Sequence, residues 1–221
     1  TAERETSEHL ISEGIDAERV HYVGNTVADA VSRLRDRSSA LQLPAVMGLE
    51  EGSYVVASLR RTSGPQRADP LEDFLGALDA VSFETGRSTI LMLDPPAAAN
   101  VRKQRLEHLL APLTAVHSTS YVELLALVEG AGVVVTNARE VQDCATVFGV
   151  PSVAVGDLAV GRGAIFKRGN HVSVDKLDRL PEIVIRALTE RSAALQQELW
   201  DGQAAQRIAE ITMAALPMSI A

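Results

Sequence analysis

Cysteine is nearly missing from this sequence. One residue, Cys144, stands among 221, so no disulfide can close within the chain and a disulfide-stapled scaffold is excluded. Aromatic residues make up only 4%, too few to point to a partner-binding face. No run approaches the roughly 18 uninterrupted apolar residues of a membrane span, and no secretory pattern is read near Thr1. Basic residues are the minority, 21 Lys and Arg against 29 Asp and Glu, for a net charge of −8. That balance argues against a broad nucleic-acid face or attachment to an anionic membrane. The histidines His9, His21, His108, His117 and His171 show no ligand spacing, so no metal is expected, and no other cofactor is implied.

What is present is apolar content. At 46% hydrophobic the chain has enough to offset ordering entropy, which excludes a disordered tail. The length fits one large domain or two small ones, and a soluble, reduced, cytoplasmic protein is the expectation. The chain opens inside a helical pattern: Ala2, Glu5, His9 and the Leu10/Ile11 pair fall at helical intervals, and Gly14 stops the run. A helix already under way at Thr1 leads us to expect further sequence ahead of it.

Downstream, short β-branched runs alternate with longer helical patterns. Strands are predicted at 21–23, 53–59, 88–93, 113–117, 132–136, 152–155 and 171–174. Helices are predicted near 26–41, 70–85, 99–111, 120–129, 139–149, 178–190, 191–199 and 202–215, with Asp69 and Pro70 starting the second of these. Runs such as Val133-Val134-Val135 are continuously apolar, as in strands buried on both faces of a parallel sheet. The expected fold is α/β, a doubly wound parallel sheet of Rossmann type. No interior linker divides the chain, and one domain over 1–221, closed by helices over 178–215, is expected.

Ligands of such sheets sit beyond the carboxyl ends of the strands. Five loops qualify: Arg60–Asp69, Asp94–Asn100, His117–Ser120, Asn137–Glu140 and Gly156–Gly169. In the first, Arg60, Arg61 and Ser63 either hold a phosphate or carboxylate or form a solvated loop. Asp94 reads as a turn or cap residue before a ligand-orienting one. Asn137 is expected to cap the helix after it, whose free N–H groups form a potential anion site. Ala138, Arg139 and Glu140 fill the turn where a diphosphate would want glycine, and Glu140 occupies the field an anion would use. Cys144 shares an apolar stripe with Val141, Ala145 and Phe148, where a thiol acts as a small hydrophobe rather than a nucleophile. Asp143 is expected to face away from that stripe, free to meet a ligand or water. Arg162, in a glycine-rich loop, either closes over a ligand or marks an ordinary surface turn, the reading preferred.

At these loops the sequence resembles the C-terminal domain of the non-hydrolysing UDP-N-acetylglucosamine 2-epimerases. Gly24-Asn25-Thr26-Val27-Ala28-Asp29-Ala30 is close to the family's Gly-Asn-Thr-Val-x-Asp-Ala. Thr136 through Asp157 aligns without a gap to Thr-Asp-Ser-Gly-Gly-x-Gln-Glu-Glu-Ala and the Gly-x-Pro strand after it. Asp201 through Ile208 resembles the family's closing helix.

The resemblance implies one half of a two-domain, GT-B-type architecture, with an N-terminal domain that this chain lacks. It also implies a nucleotide-sugar site at Arg60, Arg61, Ser63, Asn137, Arg139, Asp143 and Arg162. The departures are extensive. The family's His-Arg-Arg-Glu reads Leu59-Arg60-Arg61-Thr62, and its strand-end histidine falls on Pro96. Ser-Gly-Gly reads Ala138-Arg139-Glu140, and the paired glutamates, of which the second holds the ribose, read Asp143-Cys144. The Thr-Glu-Arg-Pro-Glu loop reads Ala159-Val160-Gly161-Arg162-Gly163. The resemblance therefore implies a catalytically degenerate, structural or regulatory subunit, with UDP-sugar binding weak or lost. Its expected partner is a second copy or an active paralogue. The alternative is the nucleotide-sugar-binding half of an active epimerase of altered specificity.

Overall fold

A computed structural model describes residues 1–59, 71–117, 119–155, 171–174, 176–189 and 197–216. The chain packs as two compact units, Arg35–Leu195 on one hand and Thr1–Leu34 with Gln196–Ala221 on the other. No linker in the sequence marks this division, because it falls inside a continuous helix, Thr26–Ala40.

The larger unit is built on six strands among the described residues: β1 (Val55–Leu59), β2 (Thr89–Leu93), β3 (Thr114–His117), β4 (Val133–Thr136), β5 (Ser152–Val155) and β6 (His171–Val174). They pair in parallel throughout, in the order β3-β2-β1-β4-β5-β6. This is the doubly wound Rossmann order, as the sequence predicts. β2, β4 and β5 are buried along their whole length, which is why they read as continuous apolar runs. On one face Ala57, Leu91, Val133, Val135 and Val153 pack against Phe74, Leu75 and Leu78 of the helix Leu71–Thr85 and Val184 of the helix Leu180–Thr189.

In chain order the helices among the described residues are α1 (Arg4–Ser12), α2 (Thr26–Ala40), α3 (Leu43–Val46), α4 (Leu71–Thr85), α5 (Pro95–Gln104), α6 (Tyr121–Glu129), α7 (Arg139–Phe148), α8 (Leu180–Thr189) and α9 (Ala204–Ala215). α5 begins four residues earlier than the predicted 99. Asp94 caps it, accepting the Ala97 N–H at 2.7 Å, and Pro95 takes the first position. The cap reading of Asp94 thus holds. α5 ends at Arg105 in the left-handed region, φ +59°, and a short 3-10 turn, Glu107–Leu110, replaces the rest of the predicted helix.

The smaller unit explains the motifs at the two chain ends. Gly24 sits at φ +89°, and a Cβ there would stand 2.0 Å from the carbonyl oxygen of Leu199. Asn25 Oδ1 accepts the Val27 N–H at 2.9 Å, turning the chain into α2. Arg207 donates to the carbonyls of Val23, at 3.1 Å, and Leu199, at 3.3 Å, and pairs with Asp201. Residues 21–23, predicted as a strand, are not in one of the sheet's strands; the Val23 N–H donates to the Thr1 carbonyl and the Thr1 amino group donates to the His21 carbonyl. Most of the helix predicted over 191–199, with Asp69 and Pro70, lies outside the described residues. Gln197–Trp200 is a turn.

Candidate functional site

The order of the sheet places its switch point between β1 and β4, where the chain leaves in opposite directions. A crevice of about 310 Å³ opens there, beyond the carboxyl ends of β1, β2 and β4. Its interior is apolar, with Leu59, Leu93, Leu124 and Val141 among its walls. Asp94, Tyr121 and Glu140 bring polar groups to it. Among the described lining residues both charges are carboxylates, and no Lys or Arg stands there.

The β4–α7 turn is set by Thr136, whose hydroxyl, fully buried, accepts the Ala138 N–H at 2.9 Å. The helix starts at Arg139, as predicted, but its cap falls one residue later than expected. Ala138, extended at φ −102° and ψ 120°, is the N-cap and offers no side-chain cap bond, while Asn137 precedes it. Asn137 therefore does not cap α7. Glu140 lies in the first turn and lines the crevice, as expected of a filled loop.

Asp143 departs from its expected exposure. It is only 4% exposed, in a run from Val141 to Ala145 that is buried at every position. α7 packs against β4, β5 and α6, so its second turn has no solvent side. Asn137, Arg139, Glu140 and Asp143 all engage partners within the protein. Of the described candidates, Arg139 is exposed and Asn137 half-buried, and neither they nor Asp143 line the crevice. Arg60, Arg61, Ser63 and Arg162 lie outside the described residues.

Cys144 is fully buried, as its stripe predicts. Burial pushes its thiol up to about 11, reinforced by the nearby Asp143 charge and opposed by the hydrogen bond to Tyr121. A thiol held protonated at neutral pH is no nucleophile. The Tyr121 hydroxyl lies 3.4 Å from Cys144 Sγ, and burial also drives its own titration upward. Sequence reading passed over Tyr121 because α6 is apolar on nearly every side, leaving no pattern to say where the ring points. Among the described residues no three His, Cys, Asp or Glu side chains converge on a metal position, and no helix is long and apolar enough to cross a membrane.

The comparisons with known proteins agree with the topology. The family model of UDP-N-acetylglucosamine 2-epimerase matches residues 1–213. A curated relative, the UDP-N-acetylglucosamine 2-epimerase of Methanococcus maripaludis, is 20% identical over 156 residues, 66% of this chain and 42% of its own. The Methanocaldococcus jannaschii UDP-GlcNAc 2-epimerase, solved in complex with UDP-GlcNAc and UDP, superposes with a TM-score of 0.84 at 19% identity, over 97% of this chain and 60% of its own. The Neisseria meningitidis enzyme bound to UDP-GlcNAc gives 0.80 at 18%, over the same 97% and 60%. The chain thus spans less than two thirds of each of these relatives. At such identities the structural likeness shows the fold, a Rossmann-like unit of GT-B type. By the family match over residues 1–213, the chain belongs to the UDP-N-acetylglucosamine 2-epimerase family.

Proposed function

We propose that this chain is a 2-epimerase-like domain whose nucleotide-sugar site has been filled, and that it serves in the cytoplasm as a structural or regulatory subunit. The observation that carries the reading is the first turn of α7. A helix N-terminus beside a switch point is where a diphosphate is ordinarily held, by backbone N–H groups and the helix dipole. Here Ala138 is buried at the N-cap, and Glu140 brings a carboxylate to the crevice. A carboxylate in the first turn occupies the part of the helix field that an anionic ligand would use. At the position where the family resemblance implies a ribose-holding carboxylate stands Cys144, a buried neutral thiol that does not line the crevice.

The partner in this reading is a second copy or an active paralogue. The test is a melting curve of the protein with UDP and with UDP-N-acetylglucosamine. A ligand at 100 times its Kd stabilises by about 2.7 kcal/mol, so an unmoved melting temperature at millimolar ligand supports the reading. Saturable binding that Arg60→Ala or Arg61→Ala weakens overturns it in favour of the nucleotide-binding half of an active epimerase.

A further inference from the structure

The strand order ends at β3, and that edge is open. β3 pairs with β2, in an unbroken register from Ile90 beside Thr114 to Leu93 beside His117, and among the described residues no other segment bonds to it. Alternate residues of an edge strand turn both N–H and C=O away from the sheet, a template for one more strand. Three usual protections are missing from Thr114–His117: it carries no proline, no lysine and no bulge. Thr114 and His117 are exposed and Ala115 and Val116 half-buried, whereas the neighbouring β2 is buried throughout.

The approach to this edge is cationic. α5 crosses from β2 to β3 and so lies over both, with Ala97, Ala98 and Val101 buried. Its last turn and the link after it present Arg102, Lys103, Arg105 and His108, all exposed and none in an ion pair among the described residues. Buried Leu106 and Leu113 pin the link at both ends, and His108 Nδ1 lies 3.2 Å from the Arg105 carbonyl oxygen. From Pro95 to His117 the sequence holds three Arg and Lys against one acid, Glu107, in a chain of net charge −8. The helix dipole accounts for cations in a last turn, not for an open strand edge beside them. Glu72 and Asp73 of α4 share a groove with Leu109 of the link, but α4 joins β1 to β2 and lies one crossover further from the edge.

We propose that β3 is a docking edge for an extended, acidic segment of a partner protein, which adds to the sheet as one further strand. The backbone of β3 supplies the ladder, and carboxylates at alternate positions of the incoming strand, on the α5 side of the sheet, meet Arg102, Lys103 and Arg105. A second copy is disfavoured, because pairing β3 with itself brings two cationic links to one edge. The crevice plays no part here, so UDP binding would overturn the filled-site reading and leave this one standing.

The probe is a short acetylated and amidated peptide of alternating glutamate and valine, with its lysine and valine counterpart as control. Hydrogen exchange of the full chain, followed by mass spectrometry, reads residues 113–117. The glutamate peptide at about 2 mM should slow exchange there by about fivefold and leave β4 unchanged, and the lysine peptide should slow it by less than about 1.5-fold. Combining Arg102→Glu, Lys103→Glu and Arg105→Glu should weaken the glutamate peptide at least about tenfold and let the lysine peptide bind in its place. Raising salt from about 20 to 500 mM should weaken the glutamate peptide several-fold, which decides the matter if the reversed variant does not fold.

No protection by either peptide overturns the docking edge, and equal protection by both, or no effect of salt, overturns its charge preference. Protection of 113–117 that appears without peptide as protein concentration rises assigns the edge to a second copy. Stronger protection by a single-stranded oligonucleotide of about 20 nucleotides assigns the cations to nucleic acid. Either result overturns the proposal.

Discussion

Asp29, in the first turn of α2, caps a helix that begins at Ala204. Its Oδ1 accepts the Ala204 N–H at 3.0 Å and its Oδ2 the Ala205 N–H at 2.6 Å. The carboxylate is 8% exposed, and α9's own preceding residue, Gln203, makes no side-chain cap bond. Two shared motifs at opposite ends of the chain therefore form one device, a charge at a helix N-terminus that satisfies two orphan donors. Asp29→Ala should lower stability by about 2 kcal/mol, and Asp29→Asn by less, since the amide oxygen still accepts. The single tryptophan, Trp200, donates to the Ala2 carbonyl at 2.9 Å in the same unit, so its fluorescence during urea unfolding reads the loss where it occurs.

Gly24 and Gly14 offer a controlled comparison. Both have positive φ, +89° and +94°, but nothing lies within 4 Å of a Cβ at Gly14, while the Leu199 carbonyl oxygen lies 2.0 Å from one at Gly24. Gly14→Ala should cost only the left-handed backbone penalty, about 1 kcal/mol. Gly24→Ala adds a backbone collision and should cost about 4 kcal/mol or more, enough to unfold its unit at ambient temperature. Equal losses in the two urea midpoints would refute the close-approach account.

Thr136 determines how the chain enters α7. Replacing it with valine keeps the shape of a fully buried side chain but leaves the Ala138 N–H without its acceptor. The expected loss is about 1–3 kcal/mol, the cost of an unsatisfied buried donor, read from the chemical denaturation midpoint.

Stability should fall in alkali. An exposed thiol of the unfolded chain releases its proton near its ordinary value of 9.0, whereas folded Cys144 holds it to about 11. The folded state binds the proton more tightly, so this contribution is complete below pH 9 and is lost as pH climbs towards 11. Its size is on the order of 2 kcal/mol. Tyr54, buried and donating to the Leu127 carbonyl at 2.8 Å, is shifted upward chiefly by burial, as is Tyr121, and both add to the decline with the same sign. Melting temperatures between pH 8 and 11 should drop less steeply for Cys144→Ala than for the unsubstituted protein.

Much of this fold was legible because a buried parallel strand has an unmistakable composition. Val133-Val134-Val135 and Thr89–Leu93 have no polar face to mislead, and both sit in the sheet as expected. Short-range chemistry was legible in part. Asp94 before two prolines signalled a cap, yet Thr136 competed with Asn137 for the next helix start and won by bonding the Ala138 N–H. Asp143 was misjudged because a stripe argument assigns one face of a helix to water, and α7 buries five consecutive residues from Val141 to Ala145. Tyr121 was invisible for the opposite reason. On a helix as apolar as Tyr121–Glu129, orientation is decided by tertiary packing and not by periodicity.

The central claim is that the switch-point crevice does not hold a nucleotide diphosphate. Calorimetric titration of UDP into the protein at low ionic strength, where any anion site is least screened, measures this directly. The account predicts no saturable heat up to about 1 mM, a binding free energy weaker than about −4 kcal/mol. A saturable isotherm with micromolar Kd, lost on substitution of Arg60 or Arg61, would contradict it.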